Sequence, residues 1–457
     1  MAESRAPTES TRAVGVIVAG GLATRMGAAT QAVPKSLLPL GGRPVLAHQI
    51  EQLGAAGVHR VIVLAGHLAG SMRAAALELA RPELDIEVRV EPTRLGSGGC
   101  LSLVRELDCP AIVVFGDIMF DVDLGALLTS HTRAGAAITA AVHPNEHPND
   151  SDLVELDARG RVVALHAKPH APGARLPNLV TAGLFVIAAE FLAELPPPAE
   201  ARKRDLVQDL VSGALAAGVH VNAWRTTHYL KDMGTPKRYA EAEADLAAQV
   251  PARRRRARAT VFLDRDGTLN AEVGHLARPE QLRLLPGVGA AVAALNHAQL
   301  QAVVITNQPV LARGEVDEAG LRAIHAELDT QLGRAGAYLD ALYYCPHHPD
   351  AGFAGERAEL KRACACRKPG TGLIERAMEE LDIERESSVL IGDHPRDWGA
   401  ARAAGLRPLA VGEGARSEAA ARGVEWFVDL PAAVHALLHA HVPRPQFPLT
   451  EAEERAC

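Results

Sequence analysis

Thr260-Val-Phe-Leu-Asp264-Arg-Asp266-Gly267-Thr268 is the stretch on which the reading of this chain turns. Thr260 and three apolar residues, bounded by a turn, make a buried strand rather than a helix. The strand runs into two carboxylates spaced i, i+2, which on an extended segment point the same way, into one site. The glycine lets the chain turn away. One carboxylate can attack phosphorus; the other can hand a proton to the leaving oxygen and later activate water. Two further apolar runs end in useful groups. Gln301-Ala-Val-Val-Ile-Thr306 delivers a hydroxyl for a phosphoryl group, with Asn307 and Gln308 next, and Ser388-Val-Leu-Ile-Gly-Asp393 delivers a third carboxylate, with Asp397 four residues on. Lys368 falls between them. Three strand ends and a lysine make a phosphoryl-transfer site.

The same grammar appears upstream. Ala13-Val-Gly-Val-Ile-Val-Ala19 runs into Gly20-Gly21-Leu-Ala-Thr24-Arg25-Met26-Gly27. Glycines let a backbone approach a phosphate, and its N–H groups can cradle the oxygens. Lys35, about ten residues beyond Arg25, could join it in neutralising a triphosphate. The stretch fits neither the dinucleotide fingerprint nor the P-loop pattern. Both halves alternate short Val/Ile/Leu runs with Ala-rich helical patterns, which predicts an α/β fold with mostly parallel strands and ligands beyond their carboxyl ends.

Composition sets the outer bounds. A chain of 457 residues has room for two or three domains at roughly 150 residues each. Aromatics are only 4% against 48% hydrophobic residues, so the cores must be built from Ala, Val and Leu. The net charge of -7 argues against a general nucleic-acid binder. No apolar run approaches the ~20 residues of a membrane span, and residues 1–12 lack the apolar region of a signal peptide. A cytoplasmic protein is expected, with small-molecule partners, neither nucleic acid nor membrane among them, and self-association into a homo-oligomer left open. Six cysteines in such a chain point to metal or catalysis rather than disulfides. Cys345-Pro-His347-His348 and Cys364-Ala-Cys366-Arg367-Lys368 supply three thiolates and an imidazole, enough to close a tetrahedral zinc site. Five arginines within Arg253–Arg258 read as a solvated interdomain linker.

The upstream motifs resemble those of the sugar-1-phosphate nucleotidyltransferases. Gly20-Gly21…Thr24-Arg25-Met26 and Pro34-Lys35-Ser-Leu-Leu-Pro39 match the family's NTP-binding signature. Glu91-Pro-Thr-Arg-Leu95-Gly96-Ser-Gly-Gly99 matches the loop that holds base and ribose. The resemblance implies that Arg25 and Lys35 are catalytic and that Gly20, Gly21, Glu91 and Gly96 bind nucleotide. It makes Lys168 a sugar-phosphate contact, and Asp117 and Asp232, in Phe-Gly-Asp117 and Asp232-Met-Gly-Thr-Pro236, the Mg²⁺ ligands. Two positions depart from the family. Ala167 stands in place of Glu before Lys168, and Thr181 in place of Asn.

The downstream motifs resemble the haloacid dehalogenase superfamily. That likeness makes Asp264 the nucleophile and Asp266 the general acid/base. Thr306 and Lys368 then bind the phosphoryl oxygens, and Asp264, the Asp266 carbonyl and Asp393 bind Mg²⁺. It also fixes His347 rather than His348 as the fourth zinc ligand of Cys345, Cys364 and Cys366, with zinc in a structural role. The zinc-clipped loop is similar to that of D-glycero-D-manno-heptose 1,7-bisphosphate 7-phosphatases, with histidinol-phosphate phosphatases the nearest rivals. Arg265, Asn307, Gln308 and Arg367 are then expected to meet the substrate, as is His394, which stands where Lys is usual. Pro309-Val310 replaces Ser-Gly.

Together these imply a bifunctional enzyme of nucleotide-sugar biosynthesis. It would dephosphorylate a heptose bisphosphate and join the 1-phosphate to a nucleotide, GTP by the resemblance. The rivals are a mannose- or glucose-1-phosphate nucleotidyltransferase fused to another phosphatase, and a chain with one half inactive and scaffolding. The expected layout is a Rossmann-like nucleotidyltransferase with a mixed sheet at 13–248 and the linker at 249–258. A Rossmann-like haloacid dehalogenase fold with a zinc-bound loop follows at 259–440, and a tail at 441–457.

Overall fold

The computed structural model describes residues 12–21, 33–157, 159–352 and 354–441. Two compact units divide the chain, Met1–Arg258 and Ala259–Cys457.

In the first unit, strands Asp85–Val90, Arg60–Ala65, Val14–Ala19 and Ala111–Phe115 lie side by side and parallel. Alternate residues of these strands serve two different cores. Val16, Ile62 and Leu64 pack on one face of the sheet. Ile17, Val61 and Val63 pack on the other. A sheet buried on both faces explains why its strands read as continuous apolar runs. The sequence signs of a mostly parallel sheet hold only for this part. Val180–Ile187, which carries no alternation to mark it, runs antiparallel to Ala111–Phe115 and also pairs with Ile138–His143. The sheet is therefore mixed. A small antiparallel ribbon of Ile118–Asp121 and Tyr229–Asp232 stands apart from it.

Counted along the chain, the four parallel strands lie in spatial order 3-2-1-4. The order reverses between Val14–Ala19 and Ala111–Phe115, the place where an open α/β sheet opens a crevice. Gly20 leaves one of these strands and Asp117 the other. Gly116 N–H donates to Val18 O at 2.9 Å, which holds the two exits together.

The second unit is a six-stranded, wholly parallel sheet. Its order is Ala341–Cys345, Gln301–Asn307, Thr260–Leu263, Val389–Gly392, Arg407–Val411, Glu425–Phe427. In chain order this is 3-2-1-4-5-6, the doubly wound arrangement. Its switch point falls between Thr260–Leu263 and Val389–Gly392, whose next residues include Asp264 and Asp393.

The arginine-rich stretch is not a loose linker. Val250–Arg254 is a short helix whose Val250 and Pro251 are buried, and Val250 packs in a core with Leu40, Met119 and Tyr229. Arg258 is buried and donates to Thr227 O at 2.9 Å. Apolar residues at the front of the run anchored it; a reading of charge alone overlooked them. The expected tail at 441–457 lies outside the described residues except for His441. Among the described residues, no helix is long and apolar enough to cross a membrane.

Candidate functional site

In the first unit a cavity of about 300 Å³ opens at the switch point, lined by Gly20, Gly21, Lys35, Glu91, Arg94, Gly96, Gly116, Asp117 and Lys203, among others. The sequence-predicted Gly20, Gly21, Lys35, Glu91, Gly96 and Asp117 thus meet in one place. Arg25 lies outside the described residues. A β-carbon at Gly20 would displace the Glu91 carboxylate. Glu91 accepts from Leu95 N–H at 2.7 Å, and burial raises its carboxyl above the ordinary range.

Gly96, with φ +72°, and its neighbours Gly98 and Gly99 lie so close to the backbone of Arg202–Leu206 that a side chain on any of them would strike it. Gly98 N–H donates to Arg204 O at 2.9 Å. The glycines therefore also seat the segment that carries Lys203 into the cavity. Sequence reading missed Lys203 and Arg94. Arg94 stands inside the Glu91–Gly99 stretch and was given no role there, Lys203 lies in no motif, and only the fold brings the two together.

Asp117 and Asp232 are tied through the ribbon, in which Asp232 sits opposite Ile118 and Met233 N–H donates to Asp117 O at 2.9 Å. Each carboxylate holds a cation. Lys35 Nζ reaches Asp117 at 2.7 Å, and Arg238 reaches Asp232 at 2.7 Å. Lys168 stands apart from the cavity lining, with its ammonium on Asp150. Gly183, beyond the departing Thr181, has φ +70° and lies against Phe115.

In the second unit the predicted carboxylates converge. Oxygens of Asp264, Asp393 and Asp397 lie within 4.8 Å of one another. Lys368 Nζ pairs with Asp264 at 2.7 Å and Asp397 at 2.8 Å, and donates to Ile305 O at 2.8 Å. Lys368 and Asp264 are 3% exposed and Asp397 is fully buried. Burial first, then Asp397, raises the Asp264 carboxyl well above its ordinary value, against the pull of Lys368. Burial and Asp397 push Asp393 up to about 6. For Lys368 burial works downward, but Asp264 and Asp397 outweigh it, so its ammonium is held charged. A β-carbon at Gly267, where φ is +78°, would collide with Asp393, which is why the pattern needs glycine after Asp266. Asp393 Oδ1 is buried without a hydrogen-bond partner, and three clustered carboxylates with an orphaned oxygen fit a hard divalent cation. Asp397 was not among the predicted ligands.

Two expected substrate contacts, Arg265 and Gln308, are buried. Arg265 is fully buried and does not face the mouth. The alternation that aims Asp264 and Asp266 one way sends the residue between them elsewhere. Its guanidinium holds Asp266, with Nη2 at 2.8 and 2.9 Å from the two oxygens, and reaches Gln308 at 2.9 Å. Gln308, 2% exposed, donates to Asp266 at 3.0 Å and to Thr306 Oγ1 at 2.8 Å. Asn307 exchanges two hydrogen bonds with the Lys368 backbone, at 3.0 and 3.1 Å. All three hold the reacting groups in place. Asn270 adds a further donor to Asp266 at 3.0 Å. Burial tends to raise the Asp266 carboxyl, but Arg265, Asn270 and Gln308 outweigh it and hold it low. The Asp266 carboxylate is thus committed to these donors and is not part of the metal-type cluster. His394 accepts from Arg396 N–H and caps helix Pro395–Ala403.

Cys345, His347, Cys364 and Cys366 form a second cluster. The sulfurs lie 3.2 to 3.5 Å apart, and His347 Nδ1 lies 3.3 Å from Cys366 and 3.7 Å from Cys345. A tetrahedron with metal–sulfur bonds of about 2.3 Å has edges near 3.8 Å, so the four donors suit one soft metal ion. His348 is not in the cluster. Arg367, half-buried, donates to His347 O at 3.2 Å.

The two folds and their sites define a nucleotidyltransferase joined to a haloacid-dehalogenase-type phosphatase. A family model described as nucleotidyl transferase matches residues 14–249 and one described as HAD-hydrolase-like matches 365–436. The D-glycero-beta-D-manno-heptose-1,7-bisphosphate 7-phosphatase of Yersinia pestis is 37% identical over 182 residues, 38% of this chain and 95% of that protein. A solved D,D-heptose 1.7-bisphosphate phosphatase from B. bronchiseptica, complexed with magnesium and phosphate, is 35% identical, covering 40% of this chain and 99% of that one at a TM-score of 0.35. HddC from Yersinia pseudotuberculosis is 20% identical, covering 51% and 99%, at a TM-score of 0.44. The chain belongs to the nucleotidyl transferase family, and in its phosphatase part to the family of the Yersinia pestis relative. It is an enzyme with a transferase half and a hydrolase half.

Proposed function

We propose that the chain makes a nucleotide-activated heptose in two steps. Residues 259–440 hydrolyse the 7-phosphate of D-glycero-D-manno-heptose 1,7-bisphosphate. Residues 13–248 then join the resulting 1-phosphate to GMP from GTP, releasing pyrophosphate. The observation that carries the reading is the pairing on one chain. Its phosphatase part is 37% identical to a heptose bisphosphate 7-phosphatase, and such an enzyme makes the sugar 1-phosphate that a nucleotidyltransferase of this kind consumes.

In the hydrolase half, a carboxylate oxygen of Asp264 attacks the 7-phosphorus. Asp266, held anionic by its donors before substrate enters, takes up a proton from solvent as the phosphate's negative charge approaches; the bond to the sugar oxygen then breaks and that oxygen takes this proton. Asp266, now anionic, takes a proton from water, which attacks the aspartyl phosphate and frees phosphate and Asp264. Lys368 and Thr306 neutralise and orient the phosphoryl oxygens. Asp264, the Asp266 carbonyl and Asp393 would hold Mg²⁺, which supplies charge neutralisation on the phosphoryl group.

In the transferase half a sugar phosphate oxygen attacks the α-phosphorus of the NTP and pyrophosphate leaves. Positioning and charge neutralisation dominate such a step. Gly20 and Gly21 give the phosphates room, Glu91 and Gly96 face the nucleoside, and Lys35 with Arg25 balances the triphosphate. Lys35 would exchange Asp117 for the phosphates, freeing Asp117 to hold Mg²⁺ with Asp232. The Cys345, His347, Cys364 and Cys366 cluster is assigned to structural Zn²⁺.

The decisive measurement is ³¹P NMR of the purified chain with heptose 1,7-bisphosphate and Mg²⁺, followed by each NTP in turn. The 7-phosphate resonance should disappear while the anomeric one stays, and GTP should convert the latter into GDP-heptose with pyrophosphate. Release of the 1-phosphate, or preference for histidinol phosphate, overturns the assignment.

A further inference from the structure

Helix Glu318–Arg334 turns an apolar stripe of Leu321, Ile324, Leu328 and Leu332 into the core of the second unit. His325 stands on that stripe, four residues after Leu321 and three before Leu328, where helical spacing asks for one more apolar side chain. Its ring centroid lies 5.6 Å from that of Tyr344. Tyr344 is in turn paired across the sheet with Thr306, the strand end that carries the phosphoryl-binding hydroxyl.

Two buried atoms in this part of the fold have no hydrogen-bond partner among the described residues. One is Nε2 of His325 and the other is Nη1 of Arg265. They are complementary. The guanidinium commits Nε and Nη2 to Asp266 and Gln308. That leaves the N–H groups of Nη1 as donors, and a neutral imidazole offers a lone pair as acceptor. Buried polar groups are almost always paired, with protein or with an ordered water. Burial pushes the His325 imidazole down to about 3, and the nearby charge of Arg265 works the same way, against the pull of Asp266. The ring therefore stays neutral, and keeps its lone pair, at neutral pH.

We propose that His325 is a positioning residue of the hydrolase site, whose Nε2 accepts from Nη1 of Arg265, directly or through one water, and so fixes the guanidinium that holds Asp266. The inference rests on the hydrolase reading above and extends it outward by one residue. The line of contact runs from helix Glu318–Arg334 through Arg265 to the carboxyl that delivers the proton. A neutral acceptor suits this place. A carboxylate at 325 would draw the guanidinium away from Asp266, and an apolar side chain would leave buried N–H groups unmet and the guanidinium free to turn.

The test uses the full chain, two phosphate esters and a spectroscopic readout that needs no turnover. His325→Phe and His325→Leu both suit the apolar stripe and lack the lone pair; His325→Gln restores an acceptor. The first two should lower kcat for heptose 1,7-bisphosphate about tenfold, a fraction of a full general-acid effect, with KM within about twofold. Hydrolysis of p-nitrophenyl phosphate, whose leaving group departs without a proton, should fall by less than about threefold, which also shows that the second unit is folded. His325→Gln should recover most of the loss. Added to Arg265→Met, His325→Leu should cost nothing further, because the two act through one contact. ¹⁵N NMR of histidine-labelled wild-type chain, with the His325 signals assigned by their loss in His325→Gln, should show Nδ1 protonated and Nε2 bare. Unchanged hydrolysis of the bisphosphate, equal slowing of both esters in both apolar variants, or a protonated Nε2 overturns the positioning role. A wild-type chain that hydrolyses neither ester fails at the hydrolase reading itself and takes the inference with it. An active wild type with unaffected variants fails at His325 alone.

Discussion

At the scale of single residues, the hydrolase site depends on side chains that cannot reach substrate. Asp266 must present its carboxyl to the leaving oxygen, yet a carboxylate on a turn is free to rotate. Arg265 and Gln308 remove that freedom by holding both oxygens. If this is their role, losing Arg265 should matter most where a proton must be delivered. Arg265→Met should lower hydrolysis of alkyl phosphates by about 10²-fold, near the lower end of general-acid effects. An aryl phosphate such as p-nitrophenyl phosphate, whose leaving group departs without a proton, should be slowed far less. The same change breaks a buried ion pair, which costs about 3–5 kcal/mol, so the melting temperature should fall too. Equal slowing of both substrate classes would show that Arg265 maintains the fold only. The resemblance placed Arg265 among the groups expected to meet the substrate. Its position between two inward-facing aspartates was the clue to its actual place.

At the scale of elements, the pieces of each site that lie on strand ends were legible and those on turns were not. A short apolar run ending in Asp or Thr announces itself, so Asp264, Thr306, Asp393 and Asp117 could be placed at strand ends before any coordinates. Lys203 could not, because what brings it to the cavity is the packing of distant segments. Val180–Ile187 escaped notice for a related reason. Its two faces are both buried at the centre of the sheet, so it shows no polar alternation, and Gly183 interrupts it. The cysteine loop was legible from spacing, and its use follows from where it begins and ends. Cys345 closes strand Ala341–Cys345, paired with Asn307, and Cys366 stands two residues before Lys368. A metal there ties a strand end to the lysine of the site. A structural zinc site contributes on the order of 10 kcal/mol to folding of its loop. Freshly purified, reduced chain should carry about one zinc. Removing it with a chelator, then clearing the chelator and restoring Mg²⁺ before assay, should abolish phosphate release and leave pyrophosphate release unchanged. Metal-free chain with full phosphatase activity would refute the assignment.

At the scale of the whole molecule, the two units carry complete and separate sets of reactive groups. Lys35, Glu91, Asp117 and Asp232 all belong to the first, and Asp264, Asp266, Lys368 and Asp393 all belong to the second. The four strands beside each switch point repeat the order 3-2-1-4 in both units. The two sites are expected to be linked by the intermediate, a small, soluble sugar 1-phosphate dianion. It follows that the steps should be separable and then recombinable. Asp264→Asn removes the nucleophile and should abolish phosphate release while sparing transfer from supplied heptose 1-phosphate. Asp117→Ala should do the reverse. Neither variant alone should convert heptose 1,7-bisphosphate and GTP into GDP-heptose. An equimolar mixture should, after a lag in which free heptose 1-phosphate accumulates, and the lag should shorten as the Asp117→Ala protein is raised. The reason is that the transferase sites of one protein wait only for the concentration of intermediate made by the other. A mixture that stays silent, although each variant keeps its own activity, would mean that the intermediate never reaches solution and that the units are not independent.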